Sequence, residues 1–169
     1  MPTTAAYGTW NSPITPESLT EAQVGLGSMV ADQRVIYWLE SRPEEAGRSV
    51  VVRVADDGKA MDDLTPSPFN VRTRVHEYGG GAFVAKDGVL LAANFTDQRL
   101  YRLQSGRAPA AVTPDSDTRL RYADATLDPS RGLAFLVRED HRGDGDPVNT
   151  IVRLRLDDGE DEGLSLIHI

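Results

Sequence analysis

The sequence predicts an all-β chain made of about three four-stranded antiparallel blades of a β-propeller that is incomplete, and three observations carry that reading. Short runs of β-branched, aromatic and aliphatic residues alternate with turn residues along most of the chain, a strand pattern with almost no helical periodicity. A strand with an apolar-Arg-apolar core recurs as Val52-Arg53-Val54, Tyr101-Arg102-Leu103 and Val152-Arg153-Leu154, with its arginines at 53, 102 and 153, so 49 and 51 residues apart. A Thr-Pro step closes the first two units, at Leu64-Thr65-Pro66 and Val112-Thr113-Pro114, with the threonines 48 residues apart.

Taken in order, residues 1–23 form an N-terminal segment with a short helix over Thr15–Glu21, where Thr15 is a natural N-cap, Pro16 suits the first helical position and Glu17 and Glu21 are acidic. Blade one is expected over 24–66, from strands at Val24–Val30, Arg34–Glu40 and Ser49–Ala55. Blade two is expected over 67–115, from Gly80–Ala85, Val89–Phe95 and Gln98–Leu103. Blade three is expected over 116–163, from Tyr122–Leu127, Leu133–Arg138 and Thr150–Leu156, and lacks an edge strand. Asp56-Asp57-Gly58, Asp87-Gly88, Ser105-Gly106 and Asp157-Asp158-Gly159 supply the positive backbone angles of tight hairpins. The apolar strand before each Arg-bearing strand (VIYWLE, LLAANF, LAFLVRE) has lost its alternation, as expected of a strand covered on both faces. A self-contained β-sandwich would need no such repeat.

Composition removes several classes of function. With 18 basic against 26 acidic residues the net charge is -8, which offers no electrostatic footprint for nucleic acid or an anionic membrane. There is no cysteine, so no disulfide, thiolate metal site or cysteine nucleophile, in keeping with a cytoplasmic location. No stretch has the length or apolarity of a membrane span or signal peptide. His76, His141 and His168 have no ligand-like spacing, and neither a metal nor a cofactor is expected.

Several longer strings carry a resemblance. Tyr7-Gly8-Thr9-Trp10, Ser12-Pro13-Ile14-Thr15-Pro16-Glu17 and Tyr37 to Pro43 introduce it. PFNVRTRVHEYGGGAF from Pro68 to Phe83, NFTDQRLYRL from Asn94 to Leu103, RYAD from Arg121 to Asp124, VREDH from Val137 to His141 and Pro147-Val148-Asn149-Thr150 make it specific. Over Tyr7 to Leu156 the chain resembles the N-terminal propeller region of bacterial serine peptidases of the prolyl oligopeptidase family, of the dipeptidyl aminopeptidase or acylaminoacyl-peptidase kind. The resemblance implies a propeller that gates and shapes the substrate pocket for a C-terminal α/β-hydrolase domain carrying the triad. No G-x-S-x-G elbow occurs in this chain, so no catalytic residue is expected here and the chain alone is expected to be inactive. The implied partners are the remaining blades, the hydrolase domain and a peptide substrate. A stand-alone binding or scaffolding propeller is the competing class. The end, Leu164 to Ile169 (LSLIHI), departs from the family and resembles translated vector sequence, so 164–169 is expected to be a non-native tail on a truncated reading frame.

Two segments hold the candidate substrate-binding residues. The first is Arg72, Arg74, His76, Glu77 and Tyr78, followed by Gly79-Gly80-Gly81. Its glycines suit close approach to a crowded axis, with the charged side chains facing a cavity or the hydrolase domain; alternatively the charges pair with one another and the glycines only relieve crowding. Glu77 is expected to hold a cationic substrate group or to be fixed by Arg72 or Arg74. The second is Glu139-Asp140, before His141. In related dipeptidyl peptidases propeller acids hold the substrate's free amino terminus, a role the resemblance makes available to this pair; the alternative is a solvated blade loop.

Overall fold

The computed structural model describes residues 4–9, 12–15, 18, 23–54, 58, 61–157 and 159–167, with side chains up to 164. Among the described residues, twelve strands form three four-stranded antiparallel sheets, each contiguous in sequence. The first holds β1 (Gly25–Asp32), β2 (Val35–Arg42), β3 (Arg48–Val54) and β4 (Met61–Asp63). The second holds β5 (Phe83–Lys86), β6 (Val89–Ala93), β7 (Leu100–Leu103) and β8 (Ala110–Ala111). The third holds β9 (Leu120–Asp128), β10 (Leu133–Asp140), β11 (Val148–Arg155) and β12 (Asp161–Ile167). These are three propeller blades. The helix expected over Thr15–Glu21 lies almost wholly outside the described residues. Its described part is a reciprocal cap, in which the Thr15 hydroxyl accepts from Ser18 N at 3.1 Å and the Ser18 hydroxyl accepts from Thr15 N at 2.9 Å.

The repeated arginines occupy equivalent places: Arg53, Arg102 and Arg153 all lie on the third strand of their sheets. Arg53 faces Asp62 across the β3–β4 pair and bonds it at 2.5 Å, while Arg153 pairs in the same way with Glu162 of β12. Blade two has Ala110 opposite Arg102, so its pair is missing. The Thr-Pro repeat also has one structural meaning. Thr65 accepts at its hydroxyl from Val51 N (3.1 Å) and Thr113 accepts from Leu100 N (3.0 Å), both threonines being fully buried.

The loss of alternation in the second strands has a direct cause at β6. Leu91 and Ala93 pack toward blade three, against Leu120, Tyr122, Leu136, Val152 and Leu154. Leu90 and Ala92 pack toward blade one, with Tyr37, Val51, Phe69 and Val71. A strand covered by two neighbours has no polar face to write into its sequence. The first strands converge, β5 lying against both β1 and β9.

The third sheet differs from expectation, because it has its edge strand. Backbone of the supposed tail continues β12, with Leu166 opposite Thr150 and Ile167 opposite Asn149. An open strand edge accepts any extended segment through main-chain bonds, so this pairing is indifferent to the side chains of LSLIHI.

Blades one and two are stapled by a side chain. Asp32, at the end of β1 and 9% exposed, accepts from Asp87 N at 2.8 Å and Gly88 N at 2.7 Å in the β5–β6 turn. Replacing Asp32 by Ala strands two amide donors at a nearly closed seam, a loss of about 2 kcal/mol for bonds to a charged acceptor. We expect thermal unfolding of the variant to fall by roughly 4–8 °C. An unchanged melting temperature would mean that the seam is held by the apolar core alone.

Candidate functional site

Of the predicted site residues, His76, Glu77 and Tyr78 of the first segment and Glu139 of the second are brought together at the end of blade three where β9 starts and β10 finishes, whereas Arg72 and Arg74 stack on Phe95 and Asp140 turns away. The connection that precedes β5 turns back on itself there. Glu77 N donates to Arg74 O and Gly79 N to Val75 O, both at 2.9 Å, while His76 (φ 56°) and Glu77 (φ 64°) adopt left-handed backbone that side chains other than glycine rarely take. Two adjacent residues in that region need an external tie. It comes from Glu139, 2% exposed, whose Oε2 accepts from His76 N at 2.7 Å.

Glu139 is the buried centre of a charged cluster. Its Oε1 lies 2.5 Å from His141 Nε2 and accepts from Arg121 Nη1 at 3.2 Å. The same Arg121 nitrogen donates to Glu77 Oε1 at 2.5 Å and to Arg74 O at 3.0 Å. Glu77 is thus held by Arg121 and not by Arg72 or Arg74, which corrects the expectation from its own segment. Neighbours in sequence were the natural candidates, but the turn aims Glu77 at blade three. The Arg121 guanidinium beside it holds the Glu77 carboxyl below the usual range, so it is ionised at neutral pH while its side chain remains 75% exposed. The ring of Tyr78, 85% exposed, stacks on His76 with centroids 5.7 Å apart.

Oxygen atoms of Glu77 and Glu139 and a ring nitrogen of His141 lie within 4.8 Å of one another, a donor set that the spacing of the histidines did not suggest. The guanidinium of Arg121 already bridges the two carboxylates. A cationic side chain thus already supplies positive charge to both carboxylates.

Glu139 and Asp140 do not act as a pair. Adjacent residues on a strand point to opposite faces. Asp140 turns to Arg142, which bonds it through Nε and Nη2 (2.9 and 2.6 Å) and holds its carboxyl below the usual range. Glu139 is no part of a solvated loop either, since Arg121, His76 and His141 close over it.

The glycine run serves contact between blades. Gly81 N donates to Asp124 Oδ1 at 2.7 Å, Asp124 N donates to Gly81 O at 3.0 Å, and a Cβ on Gly80 would meet the Asp124 carboxylate at 2.8 Å. Arg72 and Arg74 lie over the ring of Phe95, with guanidinium carbons 5.0 and 4.6 Å from its centroid. Sequence reasoning missed Arg121, Phe95 and Gln98. Each stands in a string that carried the family resemblance, RYAD or NFTDQRLYRL, and that was the available signal.

Among solved structures, a puromycin-hydrolyzing peptidase of Mycobacterium tuberculosis matches over 98% of this chain at 32% identity with a TM-score of 0.82. A puromycin hydrolase matches over 96% at 33% identity with a TM-score of 0.80. These relatives are prolyl oligopeptidase-family enzymes, and the chain matches their N-terminal propeller portion. It spans 28% and 27% of the lengths of those two relatives. No protein-family model matches the chain, and no curated protein does. Among the described residues, no helix of this propeller segment is long and apolar enough to cross a membrane.

Proposed function

We propose that this chain gates and shapes the substrate pocket of a cytoplasmic, bacterial serine exopeptidase that cleaves short peptides, with the catalytic triad in an α/β-hydrolase domain outside the chain. The remaining blades and that domain are its partners; nucleic acid and membrane are not. The observation that carries the reading is similarity along nearly the whole chain to peptidases about a third identical, of which it spans 27–28%. Within it, Glu77 is the contact residue: exposed, ionised and set in place by Arg121, it suits the ammonium group of a peptide. Glu139 is a positioning residue, buried behind the turn that presents His76, Glu77 and Tyr78.

The test has two arms. Purified 169-residue chain should release nothing above background from chromogenic dipeptide or acyl-amino-acid substrates, since it has no serine elbow. In a longer polypeptide that joins this segment to a hydrolase domain, Glu77→Gln should lower kcat/KM about tenfold, a loss of about 1.4 kcal/mol in transition-state binding. Its melting temperature should stay put, because the carboxylate is exposed. Turnover by the short chain, or a Glu77→Gln enzyme that melts early yet keeps its specific activity, would overturn the reading.

A further inference from the structure

We propose that Arg72, Arg74 and Phe95 form a carboxylate-binding platform beside Glu77, which takes the free C-terminal carboxylate of a short peptide; the identity of the ligand rests on the peptide-directed reading above. The two guanidinium groups lie over one aromatic ring, at 5.0 and 4.6 Å. Stacking engages the face of a guanidinium and leaves its in-plane N–H donors free, the edge that fits a carboxylate through two parallel bonds. Among the described residues neither side chain makes a salt bridge or a side-chain hydrogen bond, and the one acidic group whose charge Arg74 meets is the exposed Glu77 beside it. In a chain of net charge -8, two such cations stand side by side with their hydrogen-bond donors unused.

The platform is also built rather than incidental. Gln98 is fully buried and sits in left-handed backbone at φ 59°. Its amide oxygen accepts from Arg74 N at 2.8 Å and its amide nitrogen donates to Phe95 O at 2.7 Å, so one side chain fixes both halves of the stack. Arg72 N donates to Ala93 O at 3.2 Å and Phe95 N to Asn70 O at 2.8 Å, lacing the two segments together. The Arg74 carbonyl is held from the other side by Arg121. An acceptor for an ammonium group, Glu77, and a donor pair for a carboxylate therefore stand on one short connection. That combination is complementary to a free peptide carrying both termini.

Ligand-observed NMR with the 169-residue chain tests this, using Gly-Phe as the free acid, as its C-terminal amide and as the N-acetylated free acid. We expect the free acid to bind about tenfold more tightly than the amide, and Arg72→Gln/Arg74→Gln to abolish that preference while the far-UV spectrum is unchanged. Should the double variant misfold, Arg72→Gln alone, at an exposed position, must still reduce the preference. Binding of the N-acetylated acid with the same arginine dependence supports the platform even where the ammonium role of Glu77 fails, which separates the two proposals. Equal binding of acid and amide, or a preference that survives loss of both arginines, overturns it, as does the absence of binding by all three probes.

Discussion

Arg121→Met is expected to cost about 3 kcal/mol of stability, because it leaves Glu139 buried without its cationic partner. The remaining partners of that carboxylate are the His76 amide and the rings of His76 and His141, none of which carries the fixed charge of a guanidinium. For a chain of this length the loss corresponds to roughly 6–12 °C in melting temperature. The double variant Arg121→Met/Glu139→Gln should recover a substantial part of it, since removing both charges is far cheaper than removing one. A single variant that melts like the unmodified chain would show that water reaches Glu139. The strained turn at His76 and Glu77 would then need another anchor.

Gly159→Ala is expected to be equally damaging for a steric reason. Gly159 is buried in the β11–β12 turn at φ 75°, and a Cβ there would fall inside the van der Waals envelope of the Val112 carbonyl oxygen on blade two. Both objects are backbone, so neither can swing aside as a side chain would. Left-handed backbone alone costs a non-glycine residue about 1–2 kcal/mol, and separating the two turns adds the loss of the nearby packing. We expect a total of about 3 kcal/mol or more, in the range set by overpacked cores. Differential scanning calorimetry checks it. A drop of less than about 1 kcal/mol would mean that the two blades are not in contact at this rim.

The blade repeat was legible in the sequence because each sheet is a contiguous stretch whose pattern is local. Arg53, Arg102 and Arg153 fell on equivalent strands, and the two Thr-Pro steps proved to be the same hydroxyl-to-amide bond. The short outer strands Met61–Asp63 and Ala110–Ala111 are too brief to produce a periodicity, and only their closing threonines betrayed them. The site was legible as two segments but not as a single cluster. His76 and Glu139 are 63 positions apart, and no local pattern encodes a bond of that span. Glu77 offered two arginines nearby in sequence, yet its partner is Arg121 on another blade. Asp140 looked like the twin of Glu139 until strand alternation sent it to Arg142. Gln98 gave no signal because its role depends on a buried left-handed turn that glutamine does not ordinarily mark.

The Thr65 and Thr113 bonds bear on how such a chain can change its length over evolutionary time. Each joins the end of a sheet to that same sheet, so the stretch from one Thr-Pro step to the next is a tandem module whose duplication or excision recreates the same junction chemistry on either side. Selection can therefore act on the linkers without touching the modules. The linker over 114–119 is brief and merely crosses to β9, whereas the one over 66–82 has room for Arg72, Arg74, the strained His76-Glu77 pair and Tyr78. Specificity in this lineage is expected to drift by the lengthening and re-aiming of such inter-module linkers, with the sheets behind them inherited almost as interchangeable parts.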